Sequence, residues 1–381
     1  MRRTCLIALA LSAGVLADTA LVAQEPVELY GASWDLRGEG TKVEEHLGRQ
    51  AIRMRNGTAV LQDVEFENGT IEFDVATSGQ RSFIGVVFRA QENGSFEDFY
   101  LRPHQSDRFD ALQYTPVWHG ASAWQLYPEF NAPTGIPREE WIHVRLEIAG
   151  SRLRAFLNES VTPALEVERM RGPQGPGPIA VRGFFPQAGE LNIYPTAFSN
   201  IVVRTAVGTV AYLEDRGPEA SSGLVKEWAI SQPYPAPAEV IESPPVDLLE
   251  KAEWKLAGAD QTGRLNLARY GGIPEGSNNG TILVRARIRS DTARQEKLNF
   301  GFSDRVSIFL NGELLFTGNN TYRSRSLRYL GVMTVENDAL ILPLKDGDNE
   351  LLAVVTESFG GWGWTAKLAP SSNVDITAPL D

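Results

Sequence analysis

Apolar and polar residues alternate with a period of two along much of this chain, and no stretch carries a long amphipathic helical pattern. Gly69-Thr70-Ile71-Glu72-Phe73-Asp74-Val75 alternates cleanly, and Phe83-Ile84-Gly85-Val86-Val87-Phe88-Arg89 is a nearly continuous apolar run. Trp141-Ile142-His143-Val144-Arg145-Leu146-Glu147-Ile148 alternates again, and a Gly150-Ser151 turn leads into the next run. Alternation sends successive side chains to opposite faces, so each run is a strand with one face for a core. Short strands punctuated by Gly and Asn turns predict an all-β fold built of sandwiches.

The second half repeats this logic. Strands are predicted over 281–288, 298–302, 306–310, 313–316, 339–342 and 351–357. Asn311-Gly312 between two apolar runs is a strong hairpin signal. Asp346-Gly347-Asp348-Asn349 reads as another tight turn. The two halves are not copies of one another.

Met1-Arg2-Arg3, an apolar run and small residues before Gln24 form a secretory signal over 1–23. Its apolar run is shorter than the roughly 20 residues that span a bilayer, so no membrane insertion is expected once the signal is cleaved. The expectation is an exported protein, periplasmic or secreted. The single cysteine, Cys5, lies inside the signal, which excludes disulfides, thiol catalysis and cysteine-ligated metal in the mature chain. A net charge of −12 argues against nucleic acid as a partner, because phosphate rewards clustered Lys and Arg.

Composition places the boundaries. Residues 28–206 are expected to form one sandwich, 207–221 a connector, 222–370 a second sandwich and 371–381 a tail. The stretch 232–247, with five prolines, is too proline-rich for a helix or central strand and is expected to be a loop of the second domain.

Function is most legible between Ser82 and Tyr127. In Asp98-Phe99-Tyr100-Leu101-Arg102-Pro103-His104, Phe99 and Leu101 face one way and Asp98, Tyr100, Arg102 and His104 the other. Arginine forks and glutamine amides match vicinal hydroxyls, and aromatic rings stack on the apolar face of a pyranose. Arg89, Tyr100, Arg102, His104, Gln113, Trp118 and Trp124 are therefore the expected ligand-binding set. Glu97, His104 and Asp110 are the candidates for acid–base chemistry, should their side chains converge.

The first domain resembles the concanavalin A-like lectin/glucanase superfamily, which includes laminin G-like modules and 3-keto-disaccharide hydrolase domains. The resemblance lies in Phe66-Glu67-Asn68-Gly69-Thr70-Ile71-Glu72-Phe73, Phe88-Arg89, Phe96-Glu97-Asp98-Phe99-Tyr100, Trp141-Ile142-His143-Val144-Arg145 and Phe198-Ser199-Asn200-Ile201. The second domain resembles the galactose-binding-like jelly roll, in Phe300-Gly301-Phe302-Ser303-Asp304-Arg305, Ile308-Phe309-Leu310-Asn311-Gly312 and Leu344-Lys345-Asp346-Gly347-Asp348-Asn349. The resemblances imply a carbohydrate ligand. They leave open a glycan-binding protein, a glycoside hydrolase or lyase using the same cleft, and an adhesion module that contacts protein.

Glu72 and Asp74 share a strand face, but Ala76 and Thr77 stand where a family 16 glucanase has its second Glu. That strand lacks the acid that retaining hydrolysis needs, and the two carboxylates read as a solvated sheet face. His46, His104, His119 and His143 fit no metal-ligand spacing, so no metal centre is expected. Asp346-Gly347-Asp348-Asn349-Glu350 offers the oxygen ligands that calcium prefers, which leaves a structural calcium open; no other cofactor is expected. Phe359-Gly360-Gly361-Trp362-Gly363-Trp364 reads first as packing at a sandwich end.

Overall fold

The computed structural model describes residues 26–38, 40–186, 195–206, 210–214, 216–219, 222–236, 239–369 and 374–380. The 1–23 signal with Cys5 lies outside them, as do parts of the 207–221 connector and the 371–381 tail. The chain is all-β in architecture and divides into two compact units. The first runs to Val117 and resumes over Glu129–Leu213; the second takes Trp118–Pro128 and the residues from Glu214 onward.

Two antiparallel sheets build the first unit. One runs in the order Val27–Leu29, Ala32–Arg37, Gly57–Leu61, Ala180–Phe184, Phe83–Phe88, Phe96–Leu101 and Leu112–Trp118, with Asn131–Ala132 paired to the last. The other runs Leu165–Val167, Arg152–Leu157, Ile142–Ala149, Gly69–Thr77, Thr196–Thr205, Arg49–Met54 and Lys42–His46. Alternation decides which side chains are interior. Ile71, Phe73 and Val75 of one sheet and Ile84, Val86, Phe99 and Leu101 of the other are fully buried or nearly so. Each such side chain contributes about 1.5–3 kcal/mol of transfer free energy.

The second unit pairs a larger sheet with a four-stranded one. The larger runs Lys255–Gly258, Glu227–Ile230, Gly280–Ser290, Gly347–Glu357, Arg305–Leu310 and Glu313–Asn319, and the smaller Leu265–Asn266, Gly363–Leu368, Arg294–Ser303 and Asp338–Leu344. Ile282, Val284, Ile308 and Val355 of one and Phe300, Phe302 and Trp364 of the other share a single buried core. The Asn311-Gly312 turn joins paired Leu310 and Glu313 with positive φ at both turn residues, +52° and +84°, the hairpin geometry that matches strand twist. The 232–247 stretch is not wholly the expected loop: Tyr234–Pro235 pairs with Thr281 and Gly280 of the larger sheet, and the short helix Val246–Leu249 begins within that stretch. Tyr234, Leu248, Leu249 and Trp254 pack on Leu283, Phe309, Leu352 and Val354.

At the Asp346-to-Glu350 turn, the Asn349 side chain is 1% exposed and is used within the protein. It accepts from Lys345 N at 2.9 Å and donates to the carbonyls of Lys345 (2.9 Å) and Gly347 (3.2 Å). The amide that the sequence offered as an oxygen ligand closes the turn.

Candidate functional site

Strand register assembles a polar row on the first unit's Val27-to-Trp118 sheet. Thr58, Arg182, Gly85, Tyr100, Gln113 and Asn131 are successive cross-strand partners, one per strand. Asp98 and Arg102 flank Tyr100 at two-residue spacing and share its face, while Phe99 and Leu101 point into the core. The centre of the row is bare by necessity. A Cβ on Gly85 would lie 1.9 Å from the Phe99 carbonyl oxygen and 2.6 Å from Tyr100 Cα.

Arg182 crosses that gap. Its Nε donates to Asp98 Oδ1 at 2.9 Å and its Nη2 to Asp98 Oδ2 at 2.5 Å, and its guanidinium lies 5.0 Å from the Tyr100 ring centroid. Gln113 Nε2 donates to Asn131 Oδ1 at 2.5 Å, and Arg102 donates to Asp110 Oδ2. Planar hydrogen-bonding groups thus stand in order along one face.

Rings gather at one end of the row. Phe83 meets His104 at 5.4 Å, Tyr100 at 6.0 Å and Phe184 at 6.0 Å, with the Arg102 guanidinium 5.5 Å from its centroid. Phe83, Phe184, Arg102 and His104 are half-buried, and Phe109, in the turn between Arg102 and Asp110, is 59% exposed. Burial and the guanidiniums of Arg102, Arg81 and Arg108 push the His104 imidazole down to about 4, so it is neutral at pH 7. Burial raises the Asp98 carboxyl, opposed by Arg182, and raises the Tyr100 phenol, which stays protonated. Arg102 Nε, His104 Nδ1 and Asp110 Oδ1 are buried without a protein hydrogen-bond partner, each at a cost of about 1–3 kcal/mol.

The structure brings Tyr100, Arg102, His104, Asp110 and Gln113 together and turns Glu97 and Arg89 to the interior of the first unit. Glu97 precedes Asp98 by one residue and so faces the interior. It is 1% exposed, accepts from the Tyr114 hydroxyl at 2.6 Å, and burial raises its carboxyl to about 7. Arg89 is also interior. It donates to the carbonyls of Glu67 and Gly150, both at 2.8 Å, and thereby ties the Phe83–Phe88 strand to turns of the other sheet. With its donors so engaged and 1% exposure, it is a strut and not a ligand-binding arginine.

Trp118 and Trp124 belong to the second unit. Trp118 packs against that unit's core, with Arg269 5.6 Å from its ring. Trp124 stands edge-on to Tyr322 (5.9 Å) and Phe359 (6.1 Å). The neighbouring Gln125 explains this placement. It is fully buried, accepts from Ser303 Oγ at 3.0 Å, donates to the Leu330 carbonyl at 2.7 Å, and its backbone N–H bonds Gly360 O at 3.0 Å. Gly360 has φ +102°, and a Cβ there would sit 2.4 Å from Gln125 Oε1. Trp362 and Trp364 are fully buried, while Phe359 is 43% exposed.

Glu72 and Asp74 lie on the outward face of the first unit's other sheet. Asp74 accepts from Arg49, from His143 Nδ1 at 2.8 Å and from Asn200 Nδ2 at 2.7 Å, and Glu72 pairs with Arg204. This is an ion-pair network with Asp74 at its buried centre. Among the described residues no group of three His, Cys, Asp or Glu side chains stands together to hold a metal.

Sequence reading missed Phe83, Phe109, Asn131, Arg182 and Phe184. Phe83 carried a parity signal, lying two residues before Gly85 on an alternating strand. Nothing local to Arg182 indicates that it pairs with Asp98, 84 residues away.

The sequence matches no protein-family model and no curated protein. Solved structures similar to the chain over part of its length include carbohydrate-binding modules and glycoside hydrolases. Carbohydrate-binding module CBM66 from Bacillus subtilis aligns at 13% identity and TM-score 0.32, covering 44% of this chain and 92% of that one. Bacillus licheniformis β-glucanase aligns at 10% identity and TM-score 0.32, covering 45% and 92%. A family 35 carbohydrate-binding module from an environmental isolate aligns at 15% identity and TM-score 0.18, covering 26% and 72%. Likeness at this level transfers no activity.

Proposed function

We propose that this is an exported carbohydrate-binding protein whose first unit, a concanavalin A-like sandwich, holds a glycan on the polar face of the sheet that carries Tyr100. The second unit is read as a galactose-binding-like jelly roll. The observation that carries the reading is the half-exposed rings of Phe83 and Phe184 beside a polar row in which Asn131 is half-buried and Arg182, Tyr100 and Gln113 are 7%, 5% and 3% exposed. Amides and guanidiniums held by neighbours lose little entropy when they bond hydroxyls, and rings supply the apolar platform a pyranose needs. Export rests on the 1–23 segment and predicts a periplasmic or secreted location. No helix among the described residues is long and apolar enough to cross a membrane.

A hydrolase using this face is less well supported. Retaining chemistry needs two carboxyl groups about 5–5.5 Å apart, one of them free to donate a proton. Asp98 and Asp110 are each paired with an arginine, and Glu97 faces the core. Affinity electrophoresis of the mature chain through a panel of polysaccharides tests the proposal. Retardation by at least one glycan is expected, lost in Phe83→Ala and Phe109→Ala variants that keep the wild-type melting temperature. Wild-type retardation in both variants, or none on any glycan, overturns it.

A further inference from the structure

Resting on that reading, we propose that the glycan is acidic, its carboxylate or sulfate group held by Arg81 and Arg108 at the ring-lined end of the site. The chain as a whole carries a net charge of −12, yet this end is cationic. Two of its arginines are neutralised, Arg182 by Asp98 and Arg102 by Asp110. Arg81 and Arg108 are not. Both are exposed, and neither has an ion-pair partner among the described residues.

Position matters as much as number. Arg81 stands two residues before Phe83, and Arg108 lies in the turn closed by its backbone N–H to Gln105 O at 2.9 Å, between Arg102 and the exposed Phe109. The carboxylate of the same turn, Asp107, accepts from Ser106 Oγ at 3.2 Å and forms no ion pair with Arg81 or Arg108 among the described residues. Its backbone N–H bonds Thr134 O at 2.8 Å, and its Oδ1 lies 3.2 Å from where a Cβ on Gly135 would sit. At His104, where burial already disfavours protonation, the guanidiniums of Arg102, Arg81 and Arg108 disfavour it further. A neutral sugar is served by amides and paired ions alone. Unpaired guanidinium forks beside an exposed ring match the planar bidentate geometry of a uronate carboxylate, or a sulfate.

The test uses the mature chain in affinity gels. Acidic probes are polygalacturonate, alginate, hyaluronan and chondroitin sulfate; neutral probes are esterified pectin and a β-glucan; sugar-free polyacrylate controls for simple ion exchange. At least one acidic glycan is expected to retard the protein more strongly than any neutral one. The double variant R81A/R108A is expected to lose about tenfold in affinity for it, the scale of one charge-assisted hydrogen bond. Retention on a neutral glycan but on no acidic one overturns the acidic class and leaves sugar binding standing. Equal retention on polyacrylate, or undiminished affinity in R81A/R108A, also overturns the acidic class. Retention on no glycan at all overturns both readings.

Discussion

Replacing Glu97 with Gln should change how the protein's stability depends on pH. The Glu97 side chain is 1% exposed, faces the interior, and has its carboxyl raised from an ordinary value near 4.5 to about 7, chiefly by burial. The Tyr114 hydroxyl, which donates to it at 2.6 Å, and Arg89 at 3.8 Å only partly offset that burial. Because the folded pKa lies above the unfolded one, the folded state binds the extra proton between about pH 4.5 and 7. The stabilisation is fully present below the unfolded pKa and is lost as pH rises through the folded value. The slope approaches 1.36 kcal/mol per pH unit, which integrates to about 2.5 kcal/mol between pH 5 and 8. Gln cannot ionise, so Glu97→Gln should gain about that much relative to wild type over the same range. In a unit of this size that is a relative rise of roughly 5–10 °C in melting temperature. The assay is a pair of calorimetric melts at each pH, in which subtracting one protein from the other cancels every other titrating group. Parallel curves from pH 5 to 8 would refute the reasoning.

Three further outcomes are expected. Removing Arg182 alone by Arg182→Met leaves Asp98 buried and unpaired and should cost about 3–5 kcal/mol, whereas adding Asp98→Leu should recover much of it; a denaturation double-mutant cycle without such recovery contradicts a buried ion pair. Gln125→Ala should cost about 2–4 kcal/mol through lost bonds to Ser303 and Leu330, with hydrogen exchange rising at Arg294–Ser303 of the second unit; a rise confined to Phe96–Leu101 would contradict the placement. His104 has its folded pKa depressed to about 4, so its contribution favours the fold above the unfolded value near 6.5 and is lost as pH falls through the folded one. Its NMR titration should therefore show a neutral ring at pH 5.5, and a midpoint near 6.5 would contradict both its burial and the positive field around it.

Parity made one part of the site legible from sequence. Tyr100 and Arg102 on one face, with Phe99 and Leu101 on the other, follow from a period of two, and the hairpin at Asn311-Gly312 follows from the φ its residues tolerate. Parity was also available for Glu97, which must face away from Asp98. Arg89 shows a different limit, since it ends its strand in the left-handed region at φ +53°, where strand alternation no longer tells direction.

By itself, then, the sequence determined the all-β class, the strands with clear alternation, the Asn311-Gly312 hairpin, and which face of the Phe96–Leu101 strand carries polar groups. These are local properties of dihedral preference and alternating side chains. Tertiary structure alone decided the partners. Arg182 reaches Asp98 because two strands distant in sequence flank Gly85, and Trp124 joins Tyr322 and Phe359 because Gln125 satisfies all its polar atoms in the second unit. Register between remote strands and the burial of a polar side chain depend on contacts no window of sequence contains.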